Sequence, residues 1–284
     1  MVKRLLSALL LCTGLATLGT GCTDVVDIDL EQGETLLVVD GAVYDTPGPY
    51  TVKLNLTTSY FANQPLPPAR DAVVTITDSE GLQDRLTETS PGIYQTDSLS
   101  GKTGNSYTLE IEYGGERYMA TDMIRPVPTI DSVYYTFEEE GAFTDEGYFM
   151  YYYGPELPGT GDHYRLKLFR NEELQADPSD ILAFTDRFVD GNYLFELQIN
   201  FEPFEETDDF RLELHAISED HYYFLGELQE QTTNGGLFSD PPANIRTNIV
   251  NTDANGPKAL GWFVAAGVNS IEGDLTGFDG VVYP

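Results

Sequence analysis

Short stretches in which apolar and polar residues alternate recur along most of this chain, and turn-forming residues separate them. A period of two is the pattern of a strand with one buried face. The clearest pair covers residues 107–113 and 116–120, which flank Gly114-Gly115 and predict a β-hairpin. A chain that repeats this pattern favours a mainly β fold over a bundle of helices.

About seven such stretches lie between residues 35 and 124, separated by turns such as Asp45–Pro49. This number and spacing of short strands is typical of an immunoglobulin-like sandwich. The chain has no cysteine pair in this region, but many sandwiches of this kind lack a disulfide. We therefore expect an N-terminal immunoglobulin-like β-sandwich over 35–124.

A second β-rich domain is expected over 132–284. Pro126 and Pro128 favour a stiff, extended linker over 125–131. Beyond this linker the strand patterns are longer and more aromatic. The sequence therefore predicts two domains, both β-rich.

One helix interrupts the strands of the second domain, near 218–231. Ser218 is a suitable N-cap, acidic residues follow it in the first turn, and apolar residues recur on one side. After the helix, two closing strands are expected, over 244–249 and 259–266.

The first residues of the chain have the pattern of an export signal. Lys3 and Arg4 precede the uncharged stretch 5–18, and the small residues Gly19–Gly21 lead directly into Cys22. The apolar stretch is shorter than the about 20 residues that span a bilayer. We interpret this segment as a bacterial lipoprotein signal in which the thiol of Cys22 receives the lipid.

On this interpretation residues 1–21 are the signal peptide and 22–34 an acidic tether. Gly19 departs from the usual leucine at its position, so the alternative is an ordinary cleaved signal with an incidental cysteine. The chain contains two cysteines, and Cys12 lies inside the signal. A lipidated mature protein would then keep no free thiol for a disulfide, a nucleophile or a metal site.

Acidic residues dominate the charge of the chain, with 47 Asp and Glu against 15 Lys and Arg. Nucleic acids and anionic lipid surfaces are recognised by clusters of Lys and Arg. We therefore expect no nucleic-acid partner and a membrane contact only through lipid on Cys22.

No motif of a catalytic or cofactor site stands out. The three histidines are not spaced as metal ligands, and neither a nucleophile elbow nor a phosphate-binding loop is present. We expect no catalytic residue, no cofactor and no dedicated metal site. Acidic runs such as 138–140 and 205–209, and Asp186 with Asp190, could hold Ca²⁺ but are more typical of solvated loops. A hydrolase that uses two carboxylates stays as an alternative.

The aromatic run 148–153 is the most suggestive binding feature. Tyr151 and Tyr153, together with the single tryptophan Trp262, are our candidates for ligand binding, because such rings supply contact area and a polar group. The alternative is an ordinary strand whose alternate rings enter the core, and the alternating pattern favours it.

Several stretches, taken in order, resemble one known family. They are Cys22 with its acidic tether, 37–41, 48–54, 72–76, 91–94, 126–132 and 260–263. In this order they resemble the Bacteroidota lipoprotein family classed as domain of unknown function 4249. The resemblance implies an outer-membrane lipoprotein, often encoded beside TonB-dependent receptors and without an established activity. The acidic stretch 24–31 also resembles the surface-export signals of that phylum.

Three functions are therefore open at the level of sequence. The first is a non-enzymatic accessory or binding lipoprotein of the outer membrane, which acts beside a TonB-dependent receptor. The second is a surface module that binds a glycan or peptide through the aromatic second domain. The third is the carboxylate-dependent hydrolase.

Overall fold

A computed structural model describes residues 34–58, 64–142, 144–233, 245–277 and 279–284. The expected signal peptide, the lipidation site Cys22 and all of the tether except Glu34 lie outside these residues. The structure is mainly β, with 49% strand and 9% helix. The fold class predicted from the alternating pattern is confirmed.

Eight strands lie among the described residues of the first half of the chain. They are β1 (Leu37–Tyr44), β2 (Thr51–Leu56), β3 (Val73–Asp78), β4 (Gln83–Arg85), β5 (Thr87–Ser90), β6 (Ile93–Gln95), β7 (Ser106–Tyr113) and β8 (Glu116–Met123). β7 and β8 pair antiparallel around Gly114-Gly115, as the hairpin pattern predicts.

Ten further strands and one α-helix occur in the rest of the described chain. These elements are β9 (Ser132–Glu138), β10 (Gly147–Pro155), β11 (His163–Arg170), β12 (Glu173–Leu174), β13 (Leu182–Thr185), β14 (Tyr193–Gln198), β15 (Asp209–Ile217), α1 (Glu219–Thr233), β16 (Val250–Asn251), β17 (Ala259–Asp274) and β18 (Asp279–Val282). The helix begins after Ser218, whose side-chain oxygen accepts a hydrogen bond from the backbone N–H of His221 at 3.2 Å. This contact confirms the predicted N-cap.

The strands form three sheets. A long sheet has the order β12-β11-β15-β17-β1-β2-β6-β5, with β13 also paired to β11; a five-stranded sheet has the order β16-β8-β7-β3-β4; and a four-stranded sheet has the order β14-β10-β9-β18. The long sheet contributes to two hydrophobic cores. Its β1, β2 and β6 meet β3, β7 and β8 across a front core, and its β11 and β15 meet β9 and β10 across a rear core.

The strand β17 belongs to both halves of the long sheet. Its first part pairs in parallel with β1, from Leu37↔Ala259 to Tyr44↔Ala266, and its second part pairs antiparallel with β15. Phe263 and Ala265 of this strand are fully buried in the front core, and Ile271 is buried in the rear core. One strand thus contributes side chains to both cores.

The region before β17 differs from the expectation. Residues 245–249 do not form the strand predicted over 244–249; β16 is a two-residue strand, and Asn244 lies outside the described residues. The side chain of Asn248 takes the place of a backbone partner. Its Nδ2 donates to the carbonyl oxygen of Phe263 at 2.7 Å, and its Oδ1 accepts the N–H of the same residue at 3.0 Å.

Residues Thr35–Pro284 form one compact unit that contains both cores. The division into domains over 35–124 and 132–284 stays a prediction. The expected linker is tied to β17, because the N–H of Ile130 donates to Oδ1 of Asn269 at 2.8 Å. Among the described helices, none combines the length and apolar character required to cross a membrane.

Candidate functional site

The strand β10 divides the aromatic run between two faces of the four-stranded sheet. Tyr148, Met150 and Tyr152 point inward and are buried in the rear core. Tyr151 and Tyr153 point outward and are half-buried. The alternation with a period of two therefore gives core rings and outward rings on the same strand.

The outward rings of β10 continue across the neighbouring strands. Register places Val281, Tyr134, Tyr151 and Gln198 in one row across β18, β9, β10 and β14. The rings of Tyr134 and Tyr151 lie 6.2 Å apart between centroids with an interplanar angle of 35°. Val281 at the end of the row is 44% exposed.

We call this outer surface the aromatic face. It consists of Tyr134, Tyr151, Tyr153, Tyr193 and Val281, and the buried Phe149 lies on the same side of β10. Tyr193 stands opposite Pro155 on β14, a strand with only one paired neighbour in the sheet, and is 48% exposed. Exposed and half-buried apolar side chains grouped on one side of a sheet are typical of an interaction surface.

A cleft of about 260 Å³ lies at one end of the aromatic face. It is lined by Glu138, Thr144, Asp145, Phe149, Tyr151, Gln198 and Phe201. Pockets that enclose small molecules occupy roughly 300–1,000 Å³. The cleft is therefore suited to a single side chain or one sugar ring of a larger partner, held against the face.

Carboxylates lie beside the aromatic face, and no basic residue belongs to its four strands. No Lys or Arg occurs between Arg125 and Arg165, between Arg187 and Arg211, or after Lys258, and these three gaps include all four strands of the sheet. Burial, followed by the charge of Glu138, raises the pKa of the Tyr151 phenol. Burial and the charge of Glu196 raise the pKa of Tyr153. The phenols therefore stay protonated at neutral pH and can donate hydrogen bonds.

Trp262, the third candidate, lies elsewhere in the molecule. It is 7% exposed beneath α1, with its ring centroid 5.0 Å from that of Phe224 and 5.4 Å from that of His221. The structure thus brings Tyr151 and Tyr153 to one surface and does not bring Trp262 to it. Sequence alone could not separate them, because an exposed and a buried aromatic residue on a strand share the same pattern.

The three histidines are all buried. Nδ1 of His163 lies 3.0 Å from the carbonyl oxygen of Gly161, and Nε2 of His215 lies 2.8 Å from Oε2 of Glu213. Burial and the nearby charge of Lys167 lower the pKa of His215 to about 4, so the imidazole is neutral at pH 7. Burial also lowers the pKa of His221.

Three carboxylates converge next to the end of β10. Oxygen atoms of Glu156, Asp162 and Asp186 all lie within 4.8 Å of one another. An all-oxygen set of this kind suits a hard cation such as Ca²⁺. The sequence pointed to Asp186 in this region but missed Glu156 and Asp162, since Asp186 lies more than 20 residues further along the chain.

Hydrogen bonds within the protein account for the position of this carboxylate cluster. Glu156 accepts the phenol of Tyr164 at 2.9 Å, and Asp186 accepts the N–H groups of Gly161 and Asp162 at 2.6 and 3.0 Å. Glu156 and Asp186 are 4% and 2% exposed. The hydrogen bonds of this pair therefore hold the neighbouring loop residues in place. Both carboxylates are too deeply buried for a substrate in solution to reach them.

The fold and its outer surface define a mainly β protein in which sheets enclose two cores and one sheet presents an aromatic face. Residues 23–272 match the family model described as domain of unknown function (DUF4249), and the chain belongs to this family. The family assignment made from the sequence is confirmed. A comparison with curated proteins finds no match.

Proposed function

We propose that this chain is an outer-membrane lipoprotein, anchored through Cys22, that acts as a non-enzymatic binding protein beside a TonB-dependent receptor. The export signal ahead of Cys22 supports the anchor, and the acidic residues that follow support exposure at the cell surface. The aromatic face is the single observation that carries the binding role. It presents half-buried and exposed rings on the outer side of a sheet whose inner side packs into the rear core.

The anchor and the location have a direct test. Intact cells of the native host are treated with a protease, and the remaining peptides and the N-terminus are identified by mass spectrometry. Loss of the protein together with a lipid on Cys22 supports surface display. A lipidated protein that resists the protease would place it on the periplasmic side, and an unmodified Cys22 would contradict the anchor.

The binding role is tested by cross-linking in the same cells. Tyr151→Ser combined with Tyr153→Ser should abolish recovery of a cross-linked receptor, whereas Tyr223→Ser should leave it unchanged. Tyr223 is a suitable control because it is 45% exposed on α1, away from the four-stranded sheet. Recovery of the receptor with all variants would contradict a role for the aromatic face.

A second function is favoured by one feature of the same surface. The outward phenols lie beside carboxylates, and rings together with hydrogen-bonding groups can hold a sugar. A surface glycan- or peptide-binding module is therefore the alternative to a receptor partner. Retention of the protein on immobilised host polysaccharide, lost in the double tyrosine variant, would support it.

A further inference from the structure

We propose that the aromatic face docks an extended polypeptide segment in which Lys or Arg residues alternate with aliphatic ones. This inference rests on the proposed binding role of the face and names the chemistry of the partner. It follows from the distribution of charge, from the way this chain places its own arginines, and from the spacing of side chains along a strand.

The charge distribution is one-sided at this surface. The carboxylates of Asp131, Glu138, Glu196 and Asp279 lie on or beside the four strands, and none of them takes part in an ion pair of the described residues. Every basic residue beyond Arg4 is among the described residues, and none belongs to these strands. The face therefore presents rings and negative charge without a cation from its own chain.

Elsewhere in the molecule the chain fills the same kind of site with its own arginines. Arg211 lies over the ring of Phe169 at 3.7 Å and pairs with Glu213 and Glu172. Arg170 lies over the ring of Phe204 at 3.9 Å, with its Nε 3.7 Å from Oδ2 of Asp208.

The helix shows the same arrangement. Arg246 lies 4.9 Å from the ring centroid of Tyr223 and donates to Glu227 at 2.7 Å. A cation over a ring is stabilised by about 0.5–1 kcal/mol at an exposed site and by more when water is excluded. In each case a guanidinium lies on a ring with a carboxylate at its side, and the aromatic face offers the ring and the carboxylate alone.

The negative charge at the aromatic face also disfavours two other binding partners. A second copy of this chain would bring an identical acidic face against the first, and like charges across an interface are unfavourable. An anionic lipid surface is disfavoured for the same reason. A polypeptide with alternate basic side chains matches the spacing of side chains along strands, where every second residue points to the same side.

The experiment uses the full chain, purified from its native host, and isothermal titration calorimetry. Three probes are compared: a nonapeptide that alternates Val with Lys and Arg, the same peptide with Glu at the basic positions, and maltohexaose. We expect binding of the basic peptide only, and weaker binding as the salt concentration rises.

Variants then locate the binding. Glu138→Gln with Asp279→Asn removes two charges from the face and should weaken binding at least tenfold. Asp97→Asn with Glu110→Gln removes two charges from the front half of the chain and should change it less than twofold. Tyr151→Leu keeps an apolar side chain but removes the ring, and should weaken binding several-fold. Circular dichroism and the urea midpoint verify that each variant is folded.

Equal losses in the two charge variants would overturn the inference, since they would indicate attraction to the overall negative charge. Binding of the acidic peptide, or of none of the probes, would also overturn it. Binding of maltohexaose alone, lost in Tyr151→Leu, would overturn the polypeptide partner but leave the aromatic face as a binding site. Failure of the proposed function itself is distinct, because it appears as unchanged receptor cross-linking in the double tyrosine variant.

Discussion

Two fully buried tyrosines of the rear core differ in what their hydroxyl groups contact. The phenol of Tyr164 donates to Oε1 of Glu156 at 2.9 Å, whereas that of Tyr152 has no hydrogen-bond partner among the described residues. Burial raises the pKa of both phenols, so both stay neutral. A buried hydroxyl costs free energy unless a hydrogen bond replaces the water it loses.

The two tyrosines should therefore respond in opposite ways to loss of the hydroxyl. Tyr164→Phe should lower the free energy of unfolding by about 1.5–3 kcal/mol, because it leaves the buried carboxylate of Glu156 with one fewer donor. Tyr152→Phe should leave the free energy of unfolding unchanged or raise it by up to about 1 kcal/mol. Urea denaturation measures both changes, and a large loss in Tyr152→Phe would reveal a partner for that hydroxyl.

Asp162 is expected to destabilise the protein at neutral pH. Burial and the charge of Asp186 raise its pKa above the ordinary value near 3.8. Between these two values the native state binds more protons than the unfolded chain, so the contribution of this group to stability falls as the pH rises. Asp162→Asn should therefore raise the urea midpoint at pH 7.

This gain should shrink as the pH falls towards the pKa of Asp162, where the wild-type carboxyl also becomes neutral. Asp97→Asn is the matched control, because it removes a charge outside the carboxylate cluster and should show no such dependence. A gain that is constant with pH would contradict repulsion between the two carboxylates as the cause.

At this scale the sequence predicted part of the candidate site. Tyr151 and Tyr153 were chosen as aromatic rings with a polar group, and the period of two along β10 places both on the outer side of the strand. Trp262 was grouped with them on residue type alone, since nothing local indicates that α1 covers it. Glu156 and Asp162 were missed because their proximity to Asp186 depends on tertiary structure.

The elements themselves were largely predictable, but the pairing of strands that are distant along the chain was not. The alternating patterns gave most of the strands and the hairpin at Gly114-Gly115, because these features depend on residues a few positions apart. The parallel pairing of β1 with β17 joins residues more than 200 positions apart. No pattern within either strand indicates that partner. Residues 245–249 show the converse. Their sequence is strand-like, but the side chain of Asn248 makes the hydrogen bonds to Phe263 that a strand backbone would otherwise make.

Gly261 is the position in β17 that tolerates a side chain least. Its φ is +91°, and a Cβ built there would lie 1.9 Å from the carbonyl oxygen of Val39 on β1. Gly261→Ala should lower the free energy of unfolding by at least about 1–3 kcal/mol from backbone strain, with the clash adding to it. Thermal unfolding followed by circular dichroism measures the effect.

Gly226 provides the matched control for this substitution. It lies within α1, and a Cβ there would meet no other atom within 4 Å. Gly226→Ala should therefore raise the free energy of unfolding by about 0.5–1 kcal/mol, because alanine loses less backbone entropy in a helix. Equal effects at the two glycines would show that the contact with β1 is not what Gly261 preserves.

For the whole molecule, the balance of charge is the dominant electrostatic feature. The formal net charge is −32, and cleavage before Cys22 would leave 13 of the 15 basic residues against all 47 acidic ones. Like charges oppose the compact state, and salt screens them. The Debye length falls from about 30 Å at 0.01 M salt to about 3 Å at 1 M.

We therefore expect the urea midpoint of unfolding to rise between 0.01 M and 1 M NaCl. KCl should give the same rise, because screening depends on ionic strength rather than on the cation. A midpoint that is indifferent to both salts would show that the acidic residues are too widely spaced to destabilise the fold. A rise with one salt alone would point to a bound cation instead.

The strand β17 also sets when the molecule can fold. A growing polypeptide emerges from its N-terminus, so β1, β2 and the hairpin of β7 and β8 are available long before residues 259–266. Until then the front core lacks Phe263 and Ala265, and β1 has one exposed edge. The front core is therefore completed only when β17 has been made. If the chain is exported as proposed above, this delay keeps the front half unfolded, as transport through a membrane requires, until β17 has been made.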